Sequence, residues 1–375
     1  MGEHVLSKEA YTRVADSVRS EGGSATRRGE QRLESGKGLD PLVDPKGFGA
    51  IRRSISRKEK RGDHFVLTVG TAMLLETQFD GTSSMRDNVD LAFGSLPKGY
   101  HLLKEADNAP LARYDLQNIN GVFNDIGDSV LLTRSQAEMD EKIAEQLRLL
   151  IPCRAGGDIE EDPHYGLFGA AYLTAAEIVK YGLKSYHFTA TDAPGRHETI
   201  WSELRRVYGD DVLDIVESNG FQMKKGSLPS TTEIVAELLK RAHAFVIQIG
   251  SDSDTARFWT EIYGPERVVT IPTARHIAET EAAIVGLTEG TLDLQGLEEF
   301  LVEEGKLSHS SAGLIREAVA GIPIGAQAAL PNFGKIPLKG AKFAQKSDLW
   351  PIDAKEPAAA KPAVKAGPKK GMWRP

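Results

Sequence analysis

One cysteine, Cys153, stands in a chain of 375 residues, which excludes an intrachain disulfide and any zinc centre built on clustered thiolates. Long apolar runs are also missing. No stretch approaches the roughly 20 uninterrupted residues that a membrane-spanning helix needs, and no apolar segment follows Met1–His4 as a secretion signal would require. The reducing cytoplasm is the expected compartment. The chain has no Gly-x-Ser-x-Gly nucleophile elbow, no Gly-x-x-x-x-Gly-Lys-Ser/Thr phosphate loop and no Gly-x-Gly-x-x-Gly after its first strand. These absences argue against hydrolase, NTPase and dinucleotide-binding chemistry. His164, His187, His197, His243 and His276 lack metal-ligand spacing and read as structural or solvated, while Cys153 reads as a small apolar filler rather than a nucleophile.

What is present is a charge asymmetry hidden by the formal net charge of −7. Residues 1–62 hold 14 basic and 9 acidic side chains, net +5, and residues 335–375 hold 10 and 3, net +7; the 22 and 41 between them give the body a net −19. The expectation is an acidic body with two flexible basic arms. From Asp353 onward the Ala, Pro and Lys content is too poor in apolar residues to offset ordering entropy, so the tail reads as disordered; the first 62 residues offer one short helical segment, Ser7 to Val18. Such arms suit phosphate, an acidic partner or the protein's own body. Without interleaved aromatics, and with a body that repels polyanions, they argue against nucleic acid.

From His64 onward, apolar runs alternate with helical periodicity, the pattern of a parallel sheet covered by helices. Extended segments are expected at Phe65 to Leu75, Leu116 to Phe123, Ser129 to Arg134, Ser185 to Ala190, His243 to Ile249 and Val268 to Ile271. The second and third flank Asn124-Asp-Ile-Gly-Asp128, which is turn chemistry and predicts a hairpin. Helices are expected at Met85 to Phe93, Met139 to Leu150, His164 to Tyr181, Glu198 to Tyr208, Thr231 to Ala242, Gln295 to Val302 and Ser311 to Val319. The fold class is α/β, a doubly wound and mostly parallel central sheet with helices on both faces. Its boundaries are a basic arm over 1–62, the α/β domain over 63–290, a helical extension over 291–330 and a basic tail over 331–375.

In such sheets the site lies outside the carboxyl ends of the strands. Three oxygen-rich loops would share that edge. The first carries Asp80, Thr82 and Ser84 at alternate positions, with Gly81 allowing a tight turn; the second is Gly156, Gly157, Asp158 ahead of Glu160, Glu161, Asp162; the third is Thr191, Asp192. Carboxylates and hydroxyls without thiols or clustered imidazoles suit a hard cation such as Mg²⁺. Plainer readings stand beside each: Thr82 and Ser84 as helix caps, the acids after Gly157 as residues favoured at a helix N-terminus, Asp192 as turn chemistry, and Ser251 to Asp254 as a cap.

Asp80-Gly-Thr-Ser-Ser84 resembles the Asp-x-Ser/Thr-x-Ser signature of the metal-ion-dependent adhesion site in von Willebrand factor type A domains. The resemblance covers roughly residues 63–275. It implies that Asp80, Thr82, Ser84 and Asp192 hold Mg²⁺ or Mn²⁺, with Asp158 standing where the family usually has a Thr hydroxyl. It further implies binding rather than turnover: an open metal position completed by an acidic side chain of a partner protein, inside an intracellular multiprotein assembly. With Asp80, Asp158 and Asp192 ionised, the site keeps a charge of about −1 around Mg²⁺. A carboxylate partner would then need Arg154, Arg196 or His197 nearby. Two alternatives remain at this point. One is an assembly protein that self-associates through its basic arms; the other is a metal-dependent phosphoryl-transfer or hydrolytic enzyme, for which neither a second acid at position 82 nor a nearby Lys is present.

Overall fold

The computed structural model describes residues 27–47, 49–138, 142–154 and 160–353. The expected helix at Ser7 to Val18, the loop residues Gly156, Gly157 and Asp158, and the tail beyond Asp353 lie outside the described residues. In chain order the elements begin with α1 (Arg27–Glu34), β1 (Arg52–Ser54), β2 (Lys58–Arg61), β3 (His64–Leu67), β4 (Ala72–Asp80) and α2 (Arg86–Tyr100). They continue with β5 (Asp115–Phe123), β6 (Leu132–Arg134), α3 (Lys142–Leu147), α4 (His164–Tyr172), β7 (Thr174–Ala176), α5 (Glu177–Lys180) and β8 (Ser185–Thr191). Next are α6 (Trp201–Tyr208), α7 (Val212–Ser218), α8 (Thr231–Leu238), β9 (Ala242–Ile249), α9 (Ser253–Tyr263) and β10 (Val268–Ile271). Then come α10 (Ile277–Glu289), α11 (Leu294–Glu303), α12 (His309–Ala318) and β11 (Lys342–Phe343).

Six strands form a mixed, mostly parallel sheet in the order β10-β9-β8-β4-β5-β6, flanked by helices. Only the edge strand β6 runs antiparallel, against β5, as the expected hairpin requires. Every residue of β4 is buried, as an interior parallel strand demands. Successive side chains of β9 divide between two apolar clusters. Phe245 and Ile247 join one with α10, α11 and α12; Ala244 and Val246 join the other with α4, α6, α8 and Trp259 of α9. The helices beyond position 291 therefore pack into the body through Leu297, Phe300, Leu301, Ala312 and Ile315.

Several features depart from the sequence expectations. The run Phe65 to Leu75 is two strands in two sheets, because the chain bends over residues 68–71, where Gly70 packs so closely that a Cβ would lie 2.6 Å from the Arg113 carbonyl oxygen. Helices α1, α7, α9 and α10 are absent from the sequence expectations, and the helix expected over His164 to Tyr181 is divided by β7 into α4 and α5. Helix α10 is buried on every side, including Glu279, Glu281 and Glu289, so it lacks the polar face that reveals an amphipathic helix. Its acids are matched: Thr77 Oγ1 donates to Glu281 at 2.8 Å, Tyr186 and Tyr114 donate to Glu289 at 2.8 and 3.1 Å, and Lys98 pairs with Glu279. Burial pushes Glu281 up to about 8 and Glu289 to about 7.

From Arg27 onward the basic N-terminal stretch belongs to the fold rather than to an arm. Strand β1 pairs in parallel with β7, and β2 pairs with β3 in a small sheet closed by β11. Arg52 is wholly buried and donates to the carbonyls of Ser135 (2.9 Å), Arg134 (3.0 Å) and Asp44 (3.1 Å). Its period-2 placement turns a charge inward that composition alone assigns to solvent. Residues 331–353 are likewise packed: Tyr181 meets Trp350 edge-on at 5.1 Å and donates to the Leu349 carbonyl at 2.7 Å. Among the described residues no helix is long and apolar enough to cross a membrane.

Candidate metal centre

Strand β4 ends at Asp80 between the ends of β5 and β8, where Asp80 is paired in register with Phe123 and Phe79 with Ala190. This is the carboxyl edge on which a site is expected. Gly81 turns the chain out of the sheet, and its small size has a steric reason. A Cβ there would sit 2.3 Å from Asn124 Oδ1, 2.5 Å from Val122 Cγ1 and 3.0 Å from the Pro152 backbone. Close approach, rather than a left-handed turn, demands glycine.

Asp80 is fully buried. Its Oδ1 accepts from Thr82 N (3.0 Å) and Thr82 Oγ1 (2.6 Å), and its Oδ2 accepts from Thr191 Oγ1 (2.7 Å). Ser84 Oγ donates to Asp192 Oδ1 at 2.8 Å, and the hydroxyl oxygens of Thr82 and Ser84 lie 3.2 Å apart. Each hydroxyl carries one proton. Thr82 and Ser84 each have more than one acceptor in reach, a carboxylate and the other hydroxyl. Four of the residues expected from the sequence are thus brought together, and Asp158 lies outside the described residues. Burial, reinforced by the Asp192 charge, pushes Asp80 up to about 7 despite its three donors. Burial also raises Asp192.

Two further acids belong to this corner. Glu161, in the loop before α4, is 4% exposed; its backbone bridges the Asp192 loop, donating to the Pro194 carbonyl at 2.9 Å and accepting from Arg196 N at 3.0 Å. Burial, then the Asp80 charge, then Asp125 push Glu161 up to about 11, and Thr82 lies within hydrogen-bonding reach of it. Asp125, in the hairpin turn, is 5% exposed and faces Glu161. Both acids were legible only as turn or helix-start chemistry. Asp162 is not a helix-start acid in solvent. It is buried, accepts from Ile126 N at 2.8 Å and pairs with Arg196 at 3.2 Å, and burial carries it to about 6.

The cations expected to help an acidic partner are partly engaged within the chain. Arg154 pairs with Asp90 at 3.0 Å and Arg196 with Asp162. His197 is exposed, its ring 4.9 Å from Phe258. Asp252 caps α9 by accepting from Thr255 N at 2.7 Å, the plainer of the two readings for that loop. Cys153 is half-buried, with its thiol raised by burial and set against the Val130 carbonyl, in keeping with a filler. Among the described residues no three His, Cys, Asp or Glu side chains are grouped to hold a metal ion. The donor set at Asp80 consists instead of two carboxylates and two hydroxyls, a hard set that fits Mg²⁺ or Mn²⁺.

No protein-family model and no curated protein matches this chain. Solved structures that align with it include the pilus adhesin SpaC from Lactobacillus rhamnosus GG in its open conformation, at 12% identity and TM-score 0.39 over 66% of this chain and 34% of that one. Proximal thread matrix protein 1 from the mussel byssus aligns at 14% identity and TM-score 0.34, over 59% of this chain and 47% of that one. The chain thus spans a third to a half of these proteins. Scores this low carry no weight for fold or function.

Proposed function

We propose that this chain is a von Willebrand factor type A-like module, doubly wound with helices on both faces, that binds a protein partner through a divalent cation in an intracellular assembly. Asp80, Thr82, Ser84 and Asp192 hold the cation, with Asp158 the further donor that the family resemblance implies. The observation that carries this reading is the convergence of two hydroxyls and two carboxylates: the Thr82 and Ser84 oxygens lie 3.2 Å apart, with Asp80 2.6 Å from Thr82 and Asp192 2.8 Å from Ser84. An order of three consecutive strands outward from β4 to the antiparallel edge and three more on its other side supports the family resemblance.

Bound there, Mg²⁺ supplies a hard anchor for a carboxylate. The residues divide the remaining work. Asp80 forms a buried floor positioned by Thr82 and Thr191, while exposed Ser84 and half-buried Asp192 form the rim that a partner reaches. Because Arg154 and Arg196 are already paired, the rim adds little positive charge of its own. Affinity for a carboxylate then comes from the cation and from surrounding contacts.

The test uses acetate as the probe. Manganese-loaded protein should broaden the acetate NMR signal by paramagnetic relaxation, and this should vanish in EDTA and in Asp80→Ala or Asp192→Ala proteins of unchanged circular dichroism. Equal broadening by the variants would overturn the reading.

A further inference from the structure

Beside the centre at Asp80, a second pair of acids lies without a paired cation among the described residues. Asp125 and Glu161 are in hydrogen-bonding contact with one another and Thr82 reaches Glu161, but no donor from the chain meets either oxygen of Asp125 or Glu161 Oε2, all three of them buried. The two side chains are 5% and 4% exposed and face one another across the corner between the hairpin turn and the loop before α4. Two buried carboxylates side by side are not both ionised without a counter-charge, and leaving such acceptors unsatisfied is strongly unfavourable. The nearby guanidinium groups are engaged elsewhere: Arg206 donates to the carbonyls of Ile126 and Asp128, and Arg196 is held by Asp162 and Glu160.

The acids are also held in place. Asn124 donates to the carbonyls of Val130 and Ile151 and accepts from Cys153 N, which fixes the start of the turn. Asp125 N donates to Asp128 Oδ2 at 3.1 Å. Glu161 is held by its backbone bridge to Pro194 and Arg196. The unpartnered oxygens therefore sit on backbone tied at both sides, and the arrangement offers carboxylate oxygen without imidazole or thiolate. That selects a hard divalent ion.

We propose that Asp125 and Glu161 hold a second divalent cation, adjacent to the one at Asp80, Thr82, Ser84 and Asp192, with Thr82 at the border of the two positions. The proposal rests on the functional reading above only in that it places two cations side by side. The second cation satisfies the orphaned oxygens and links the hairpin turn to the loop that carries Glu161.

The experiment counts Mn²⁺ per chain by equilibrium dialysis and records the electron paramagnetic resonance spectrum. Wild-type protein should bind two ions with the broadened signal of a coupled pair. The Asp125→Asn/Glu161→Gln protein should bind one, uncoupled, and Asp192→Ala should keep one. Glu161→Gln alone, with circular dichroism as a control, covers the case in which the double variant fails to fold. One ion in the wild type, unchanged by Asp125→Asn/Glu161→Gln, overturns the second site and leaves the first standing; the two acids then share a proton. No bound ion in the wild type overturns both.

Discussion

Asp80→Asn should stabilise the cation-free protein while removing the part of its response to cations that belongs to the Asp80 centre. The Asp80 carboxyl is raised from an ordinary 3.8 to about 7 because it is buried beside other acids. A raised acid contributes stability that is fully present below the unfolded pKa and is lost as pH climbs to the folded one, here between about pH 4 and 7. The shift corresponds to about 4 kcal/mol at pH 8, as an upper bound because Glu161 and Asp192 readjust. Asparagine keeps an acceptor for Thr82 and presents an amide to Thr191, whose hydroxyl can turn to accept. It therefore removes the charge without removing the contacts. Thermal unfolding in EDTA at pH 8 should place Asp80→Asn several degrees above wild type. With Mn²⁺ at 100 times the dissociation constant of the Asp80 centre, that centre should add about 2.7 kcal/mol to wild type by mass action, and the variant should lack this increment. Refutation would be an Asp80→Asn protein that melts at or below wild type in EDTA, or one that gains as much from Mn²⁺.

Other perturbations have equally definite outcomes. Gly81→Ala forces a Cβ against Asn124, Val122 and Pro152 and should lower stability by about 1–3 kcal/mol while weakening cation binding, read by chemical denaturation and dialysis. Arg134→Leu strands the buried Glu76 carboxylate, which Arg134 grips through Nε and Nη2 at 2.7 Å each, and should cost about 3–5 kcal/mol in urea unfolding. Glu281→Gln removes an acid held near 8 by burial while keeping an acceptor for Thr77. Since the wild-type stability from this group is lost between about pH 4.5 and 8, the variant should be more stable by about 3 kcal/mol at pH 7 and by less than about 1 at pH 5, in paired unfolding curves.

The sheet was legible because its strands are apolar runs ended by turn residues. Ser185 to Ala190, His243 to Ile249 and Val268 to Ile271 fall within a residue or so of β8, β9 and β10. Helix α10 was not legible, since a helix buried on all sides shows no polar face, and its three glutamates suggest solvent until Thr77, Tyr186 and Lys98 are placed against them. Arg52 misled in the same way: a basic segment reads as an arm unless its alternation is weighed, and its partners at 134 and 135 are remote in sequence. At the site, Asp80, Thr82 and Ser84 declared themselves by alternate spacing. Asp125 and Glu161 did not, because each has a sufficient local explanation and only the bridge from Glu161 to the Asp192 loop brings that loop into the same corner.

Anomalous diffraction at the manganese edge, from crystals grown with Mn²⁺, tests the central claim most directly. A peak bound by the hydroxyls of Thr82 and Ser84, with Asp80 and Asp192 around it, is the expected result. Crystals in which that loop carries no peak, while Mn²⁺ scatters among surface acids, would contradict the account.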